Sequence, residues 1–268
     1  MMRELPKWFW WPRDFVRVAG PDAEAFLQGQ LSQDVTAATR AWSFLLQPSG
    51  KVDALVRLHR IAADEFVLET DSGWGDHVRA RLQKFLLRTK AEIAPLPEWR
   101  CLTVRGVDGD DPLPGLPGSD AVGPAPDVKE PDGVSQGTDD EWERLRIMAG
   151  VPRMGAELTE ATIPAEAGQW WIERTVSFTK GCYTGQELVA RIDSRGGHVP
   201  RPIRGVRLDG TASPGAAVVH DGKDVGVLTS VSGDVGLAPV SRAVEPGTDV
   251  AVDGVAARIE ALPLIGAS

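Results

Sequence analysis

Apolar positions along the first hundred residues alternate in some stretches and recur every three or four residues in others. The first pattern predicts short strands, at 14–19, 41–46, 52–60, 66–70 and 99–105. Turn residues at 48–51 and 64–65 join three of these strands in succession, which favours an antiparallel sheet. The second pattern predicts a helix opening at Gly20-Pro21-Asp22 and another at about 74–89. The predicted inner face of the latter consists of Val78, Leu82, Phe85 and Leu86.

Periodicity is lost between Gly106 and Asp140, where proline, glycine and aspartate crowd the sequence. Such a composition predicts a long irregular loop or a mobile linker. A helical pattern then covers 141–150, with Asp139 or Asp140 as its predicted N-cap and Gly150 at its end. From Val199 onward six short apolar or alternating runs are separated by glycine-containing turns, and this pattern predicts a small closed β-barrel.

The stretch Lys180-Gly-Cys-Tyr-Thr-Gly-Gln-Glu187 carries the best candidate chemistry. Thr184 and Glu187 have the spacing of a capping box, which predicts a helix at roughly 185–195. Cys182 precedes this helix and follows Lys180, and both the helix dipole and the ammonium favour a thiolate. Gly181 and Gly185 would allow the backbone to approach another group closely. Cys182 is therefore either reactive, as a nucleophile, redox partner or metal ligand, or it simply packs a turn.

Composition limits the function classes. A hydrophobic content of 42% and a charged content of 25% are ordinary for a globular protein. The net charge of −9 argues against direct nucleic-acid binding. Two cysteines cannot build a disulfide framework, so a reducing, cytoplasmic location is expected. The opening apolar block is too short for a signal peptide, and no run is long enough to cross a bilayer, so no membrane partner is expected. The histidines lack metal-ligand spacing, and no metal site is predicted.

Positive charge is concentrated after the cysteine. Between Lys180 and Arg207 there are six basic residues and two acidic ones. Arginine binds carboxylates through two parallel hydrogen bonds, so a small ligand with several carboxylates would suit this region. The alternative is an ordinary set of surface arginines. A second basic group, Arg79, Arg81, Lys84 and Arg88, lies on the outer face of the predicted helix at 74–89, where it is either solvated or used for binding.

The motif at 180–187 resembles the signature of the YgfZ family of folate-binding proteins, which is related to the T-protein (aminomethyltransferase) of the glycine cleavage system. Four other segments resemble family segments in the expected order, namely 27–35, 49–53, 145–150 and 225–230. The resemblance covers nearly the whole chain except 106–140. The cysteine motif is its specific part, because T-proteins share the other segments.

This resemblance implies an α+β fold, a cloverleaf of two α+β lobes and a small C-terminal β-barrel around a tetrahydrofolate-binding opening. The lobes would occupy residues 1–198 and the barrel 199–268. In the relatives the lobes are interleaved, so residues before about 48 would pack with residues after about 141. Family members are associated with maturation or repair of iron–sulfur enzymes, and some bacterial ones with tRNA modification through such an enzyme.

The sequence departs from the transferases at two positions. Adjacent acids, one of them catalytic, follow the turn near residue 50 in the transferases, whereas this chain has Asp53-Ala54. Met148 stands where the transferases have the glutamate that contacts the pterin, and a thioether is a poor acceptor for the pterin's donor edge. Both departures count against one-carbon transfer more than against folate binding.

The leading hypothesis is a folate-binding accessory protein that supports iron–sulfur enzymes or their assembly machinery. It assigns the essential thiol to Cys182, assisted by Lys180, and the tail of tetrahydrofolate or a derivative to the nearby arginines. The remaining pocket candidates are weaker. These binding candidates are Arg191, Arg195, Arg201, Gln186, Glu187, Gln30 and Tyr183. Two alternatives stay open: an aminomethyltransferase or demethylase with Asp53 as its base, and a thiol redox protein that uses Cys182 with Cys101 or a partner.

Overall fold

The computed structural model describes residues 6–36 and 38–265, and its contacts divide the chain into two compact units. Unit 1 contains the chain up to Trp11, residues 101–157, and the chain from Val199 onward. Unit 2 contains residues 12–100 and 158–198. Helices and strands occur in both units, which confirms the α+β class. The division into regions 1–198 and 199–268 stays a prediction.

The helices and strands are numbered here in chain order. The strands are β1 (Lys7–Trp11), β2 (Arg13–Ala19), β3 (Arg40–Leu46), β4 (Val52–Ala62), β5 (Glu65–Asp71), β6 (Glu92–Pro95), β7 (Trp99–Arg105), β8 (Gly118–Pro124), β9 (Ser135–Gln136), β10 (Ile203–Leu208), β11 (Ala217–His220), β12 (Lys223–Val227), β13 (Ser230–Ser232), β14 (Val235–Pro239), β15 (Asp249–Val252) and β16 (Val255–Glu260). The helices are α1 (Ala23–Gln30), α2 (Gly75–Gln83), α3 (Asp139–Ala149), α4 (Gln169–Thr175) and α5 (Gln186–Ser194), with a 3-10 helix at Pro164–Ala167.

Unit 2 is built on a five-stranded antiparallel sheet in the order β3-β4-β5-β2-β6. Its five strands include four of those expected from the alternating runs, and the antiparallel prediction is confirmed. Val56, Leu58 and Leu68 are fully buried in this sheet. Burial of this kind is the main source of stability for a sheet that is covered by helices.

Unit 1 contains two sheets. One has four strands in the order β8-β7-β1-β9, and the other is a curled seven-stranded sheet in the order β12-β11-β15-β16-β10-β14-β13. The apolar residues of the seven-stranded sheet, among them Val206, Val218 and Ile259, form one buried core cluster. The sequence predicted six strands here; the structure has seven because residues 225–231 form the ends of two strands, β12 and β13.

A buried carboxylate fixes the connection that follows α3 in unit 1. Glu157 is 1% exposed and accepts hydrogen bonds from the hydroxyls of Thr229 and Ser230, both at 2.6 Å. It also pairs with Arg146 of α3, with a nitrogen–oxygen distance of 3.3 Å. Two of the segments that carry the family resemblance, 145–150 and 225–230, therefore meet at this carboxylate.

The prediction that 106–140 lacks regular structure is wrong. Strands β8 and β9 lie in this stretch, where β9 pairs in parallel with β1. Within the stretch, Asp120 is bound by Arg105 of β7 at 2.6 Å, with both side chains inaccessible to solvent. The following helix is capped by Thr138, whose hydroxyl accepts from the Glu141 amide, and not by an aspartate. The Thr138 amide in turn donates to the Glu141 carboxylate at 2.8 Å, and this reciprocal pair explains why Thr138 is the cap.

Helix α2 is shorter than the apolar pattern predicted. Val78 and Leu82 are buried as expected, but the helix ends at Gln83. Phe85 is 39% exposed and Leu87 is 81% exposed, so the predicted burial of Phe85 is wrong. The chain leaves the helix before these residues, and Arg88 has a left-handed backbone (φ 59°) that a continuing helix cannot contain.

Candidate functional site

The turn that carries Cys182, residues 177–185 (the cysteine turn), is attached to the end of α1. The Ser177 amide donates to the Ser32 carbonyl at 3.0 Å, and the Thr184 amide donates to the Gly29 carbonyl at 3.1 Å. These carbonyls lie in or just after the last turn of the helix, where no following amide is available within the helix. The cysteine turn is therefore fixed at both of its ends.

Two glycines pack against each other where the cysteine turn enters α5. Gly185 has a φ of 82°, and a Cβ on it would lie 2.5 Å from the Gln47 carbonyl oxygen and 3.0 Å from the Cα of Gly50. Gly50 has a φ of 81°, and its own Cβ would lie 2.8 Å from the Gly185 carbonyl oxygen. The expected close approach at Gly185 is confirmed. A Cβ at Gly181 would meet no atom of the described residues within 4 Å.

The predicted capping box between Thr184 and Glu187 is not formed. Helix α5 begins at Gln186 after Gly185, which offers no side-chain cap. The Thr184 amide is already bound by Gly29, so it is not available to the Glu187 carboxylate. Gln186 takes part instead, since its side-chain oxygen accepts from the Tyr183 amide at 3.1 Å. Glu187 is exposed in the first turn of the helix.

Neither cysteine forms a disulfide; Cys182 is an exposed thiol, whereas Cys101 is buried, with 1% of its surface exposed. Lys180 points its ammonium at α1, donating to the Leu31 carbonyl at 2.7 Å and the Gln33 carbonyl at 2.9 Å. Burial lowers the pKa of Lys180 to about 8, although Asp34 partly opposes this shift. Burial also raises the pKa of the Tyr183 hydroxyl to about 12.

Lys180 should react with amine reagents at a lower pH than ordinary lysines. Because its pKa is about 8, half of its side chains carry a nucleophilic neutral amine near that pH. Competitive acetylation of the folded protein, read by mass spectrometry across roughly pH 6 to 11, should give a midpoint near 8 for Lys180. The lysine of a short unstructured peptide, added to the same reaction, serves as the control, and its midpoint should lie near 10.4. Equal midpoints for the two lysines would contradict the prediction.

Asp53 lies at the start of β4 and is 7% exposed. One of its carboxylate oxygens is 2.9 Å from His77 Nε2, and the other is 2.9 Å from Arg81 Nε. Arg81 also donates to the Gln30 side chain at 3.2 Å and to the Leu46 carbonyl at 3.0 Å. The structure therefore brings together Asp53 and Gln30, two candidates that are far apart in sequence, through one guanidinium group.

Sequence reasoning missed His77 and Arg81 as partners of Asp53. The two residues are four positions apart on α2, a spacing that places side chains on one face of a helix. The prediction that Arg81 lies on a basic outer face is wrong, because this residue is 7% exposed. The missing information was which strand the face covers, and this depends on tertiary packing.

The predicted ligand arginines lie in different parts of the chain. Arg191 and Arg195 are exposed, one turn apart at the C-terminal end of α5 in unit 2. Arg201 is exposed and belongs to unit 1. Over residues 6–36 and 38–265, no three side chains of histidine, cysteine, aspartate or glutamate are grouped to hold a metal ion. In the same ranges, no helix has the length and apolar character needed to cross a membrane.

Comparison with known proteins identifies relatives of this chain. A family model for the C-terminal beta-barrel domain of CAF17 matches residues 201–263. The mouse mitochondrial iron-sulfur cluster assembly factor IBA57 is 27% identical over 277 residues, covering 84% of this chain and 75% of IBA57. The tRNA-modifying protein YgfZ of Cronobacter sakazakii is 30% identical over 213 residues, covering 67% of this chain and 64% of that protein.

A Haemophilus influenzae protein is 30% identical over 194 residues, which cover 68% of this chain and 66% of that protein. The chain thus spans about two thirds of the length of these bacterial relatives. Among solved structures, the glycine cleavage system aminomethyltransferase T from Bartonella henselae superposes with a TM-score of 0.76 at 20% identity, covering 96% of this chain and 86% of that chain. A likeness at this identity establishes the fold. The chain is a YgfZ-like protein with the fold of the glycine cleavage aminomethyltransferases.

Proposed function

We propose that this protein binds tetrahydrofolate or a derivative and assists the assembly or repair of iron–sulfur proteins in the cytoplasm. The observation that carries the proposal is the exposed Cys182 thiol on a turn that is fixed at both ends. A fixed, accessible thiol can present sulfur to a partner protein or its cluster without first ordering a loop. The relatives support the context, because IBA57 is an iron-sulfur cluster assembly factor and YgfZ is a tRNA-modifying protein. An effect on tRNA would then be indirect, through an iron–sulfur enzyme.

The surroundings of Asp53 favour an accessory role over one-carbon transfer. A general base needs to reach the proton that it removes and to accept it. Each carboxylate oxygen of Asp53 is already engaged, one by His77 and one by Arg81. The position next to it is Ala54, which supplies no second carboxylate.

The redox alternative lacks a resolving thiol within this chain. Thiol–disulfide exchange requires the attacked and attacking sulfurs to meet. Cys101 is 1% exposed within the four-stranded sheet, so it is closed to an incoming thiolate. Cys182 would therefore act with a partner rather than with Cys101.

The folate would be held by side chains near α5 and α1. Arg191 and Arg195 carry the positive charge that suits the glutamate tail, since guanidinium groups form paired hydrogen bonds with carboxylates. Gln30 accepts from Arg81 through its oxygen, which leaves its amide nitrogen as a donor for a ligand. Further pocket candidates in unit 2 are Gln186, Glu187 and Tyr183.

Calorimetric titration of tetrahydrofolate tests this proposal. The wild type should bind, and the double variant Arg191→Ala/Arg195→Ala should bind about tenfold to a hundredfold more weakly, because losing the charge-assisted hydrogen bonds of both exposed arginines costs about 1.5–3 kcal/mol in total. The control variant Arg100→Ala/Arg174→Ala removes the same charge from exposed positions of unit 2 and should bind as the wild type does. Unchanged affinity in the first variant would remove the arginines from the site. Absence of binding by the wild type would refute the folate proposal.

A further inference from the structure

An exposed apolar and basic segment, residues 84–90, follows α2. Leu87 is 81% exposed, the highest value for a large apolar side chain in the described part of the chain, and Phe85 is 39% exposed. Scattered single apolar residues on a surface are ordinary, but two in one segment that has left its helix form a small patch. Residues 84–90 do not continue α2, so Phe85 and Leu87 are not part of the buried apolar face of that helix.

The charge around this patch has one sign. No acidic residue occurs between Asp76 and Glu92. Arg79 and Arg81 in that stretch are paired with Asp76 and Asp53. Lys84, Arg88 and Lys90 are exposed. In a chain with a net charge of −9, three exposed cations around two apolar side chains make a local surface opposite in sign to the whole molecule.

The segment reaches both ends of α1: Phe85 lies near the end that holds the cysteine turn, and the last residue, Lys90, exchanges backbone and carboxylate hydrogen bonds with Asp22 at the other end. The Arg81 guanidinium carbon is 3.9 Å from the centre of the Phe85 ring, and the same group donates to Gln30 in the last turn of α1. The neighbouring Gly29 carbonyl accepts a hydrogen bond from the Thr184 amide of the cysteine turn. That turn adds another exposed aromatic side chain, Phe178, at 50% exposure. Phe85, Phe178 and the accessible thiol thus lie near the C-terminal end of α1, whereas Lys90 lies near its N-terminal end.

We propose that residues 84–90 form a docking site for a protein segment in which apolar side chains alternate with aspartate or glutamate. Leu87 and Phe85 would contact the apolar side chains, while Lys84, Arg88 and Lys90 would meet the carboxylates. The bound segment would hold its protein next to Cys182; in that respect the inference rests on the proposed function.

Charge and shape favour a protein segment over an anionic lipid surface. A membrane faces a whole side of the molecule, so the net charge of −9 opposes its approach. A short acidic segment responds mainly to charges within about 8 Å at physiological ionic strength. Helices that bind to a membrane surface insert a long apolar face into the lipid. Residues 84–90 are not helical, and their exposed large apolar side chains are Phe85 and Leu87.

Selection of random short peptides on the immobilised full-length protein tests the docking site. Peptides that combine leucine or phenylalanine with several acids should be enriched. The affinity of a selected peptide, measured by fluorescence anisotropy, should fall about tenfold or more for Leu87→Ser and for Lys84→Glu/Arg88→Glu. Ile61→Ser and Lys223→Glu are matched controls, because they change an apolar and a basic exposed residue elsewhere, and they should bind as the wild type does.

Saturating peptide should also slow the reaction of Cys182 with a maleimide several-fold, while the buried Cys101 stays unreactive. Enrichment without an acidic–apolar pattern, equal losses in the control variants, or an unchanged rate at Cys182 would each overturn the proposal. Binding to vesicles of phosphatidylglycerol that depends on Leu87, in place of peptide binding, would assign the patch to lipid and overturn it as well. Because the peptide assay uses no folate, its failure is separate from a failure of the tetrahydrofolate titration.

Discussion

Replacing Glu69 by glutamine is expected to lower the free energy of unfolding by about 3–5 kcal/mol, because it leaves buried cations without their counter-charge. Glu69 is completely buried in β5 and bound by Arg57 at 2.8 Å, by Arg13 at 2.8 Å and by His59 at 2.8 Å. Burial by itself would raise the pKa of Glu69, but Arg57 and Arg13 outweigh it and hold the pKa well below its usual range. A neutral amide keeps the shape of the side chain and removes the charge.

The lowered pKa of Glu69 also determines how its contribution to the free energy of unfolding varies with pH. Because the folded pKa lies below the unfolded one, the stabilisation is fully present above roughly pH 4.3 and is lost as the pH falls further. Urea unfolding followed by circular dichroism, at neutral pH and at about pH 3, should show the difference between Glu69→Gln and wild type shrinking at the lower pH. The exposed Glu173 on α4 supplies the control, Glu173→Gln, with an expected change within about 0.5 kcal/mol. A loss of less than about 1 kcal/mol for Glu69→Gln would contradict this account.

If the proposed function is correct, replacing Cys182 by alanine is expected to abolish the support of iron–sulfur enzymes without unfolding the protein. The thiol is exposed, so the substitution removes little buried surface, and stability should change by less than about 0.5 kcal/mol. In cells that lack the native gene, the variant should leave iron–sulfur enzyme activities at the level of the deletion strain. Thr179→Ala changes another exposed residue of the cysteine turn and should restore them. Full restoration by Cys182→Ala would remove the thiol from the proposed function.

Local sequence signals were sufficient where a segment's structure depends on its own neighbours. Four of the five strands of the unit 2 sheet were predicted from alternation, and the end of α3 was predicted from Gly150, which has a left-handed backbone (φ 73°). Local signals failed where distant residues decide. The amide of Thr184 could have closed a capping box, but Gly29, far away in sequence, accepts its hydrogen bond. Strand β9 has only two residues, too few for a pattern, and exists through its pairing with β1.

The residues of the candidate site also fall into those that local sequence signals identify and those that depend on contacts with distant residues. Cys182 and its glycines were visible in the sequence because the motif is contiguous. The partners of Asp53 were not, since His77 and Arg81 reach it only after α2 packs against the sheet. Lys180 was expected to act on the nearby thiol; its ammonium instead binds two carbonyls after α1, and its influence on Cys182 stays a prediction.

Because unit 2 is built from two separate stretches of the chain, its parts are synthesised at different times on the ribosome. All strands of its sheet have been synthesised once the ribosome reaches Arg100. The segment from Leu158 to His198, which includes the cysteine turn, is synthesised only after residues 101–157 of unit 1. At about 5–20 residues per second, the nascent sheet waits on the order of seconds for that segment. During this interval the carbonyls of Gly29, Leu31 and Gln33 lack the donors that the cysteine turn later supplies. The cysteine turn therefore joins a unit whose sheet has already been synthesised, and its arrival completes the hydrogen bonding at the end of α1.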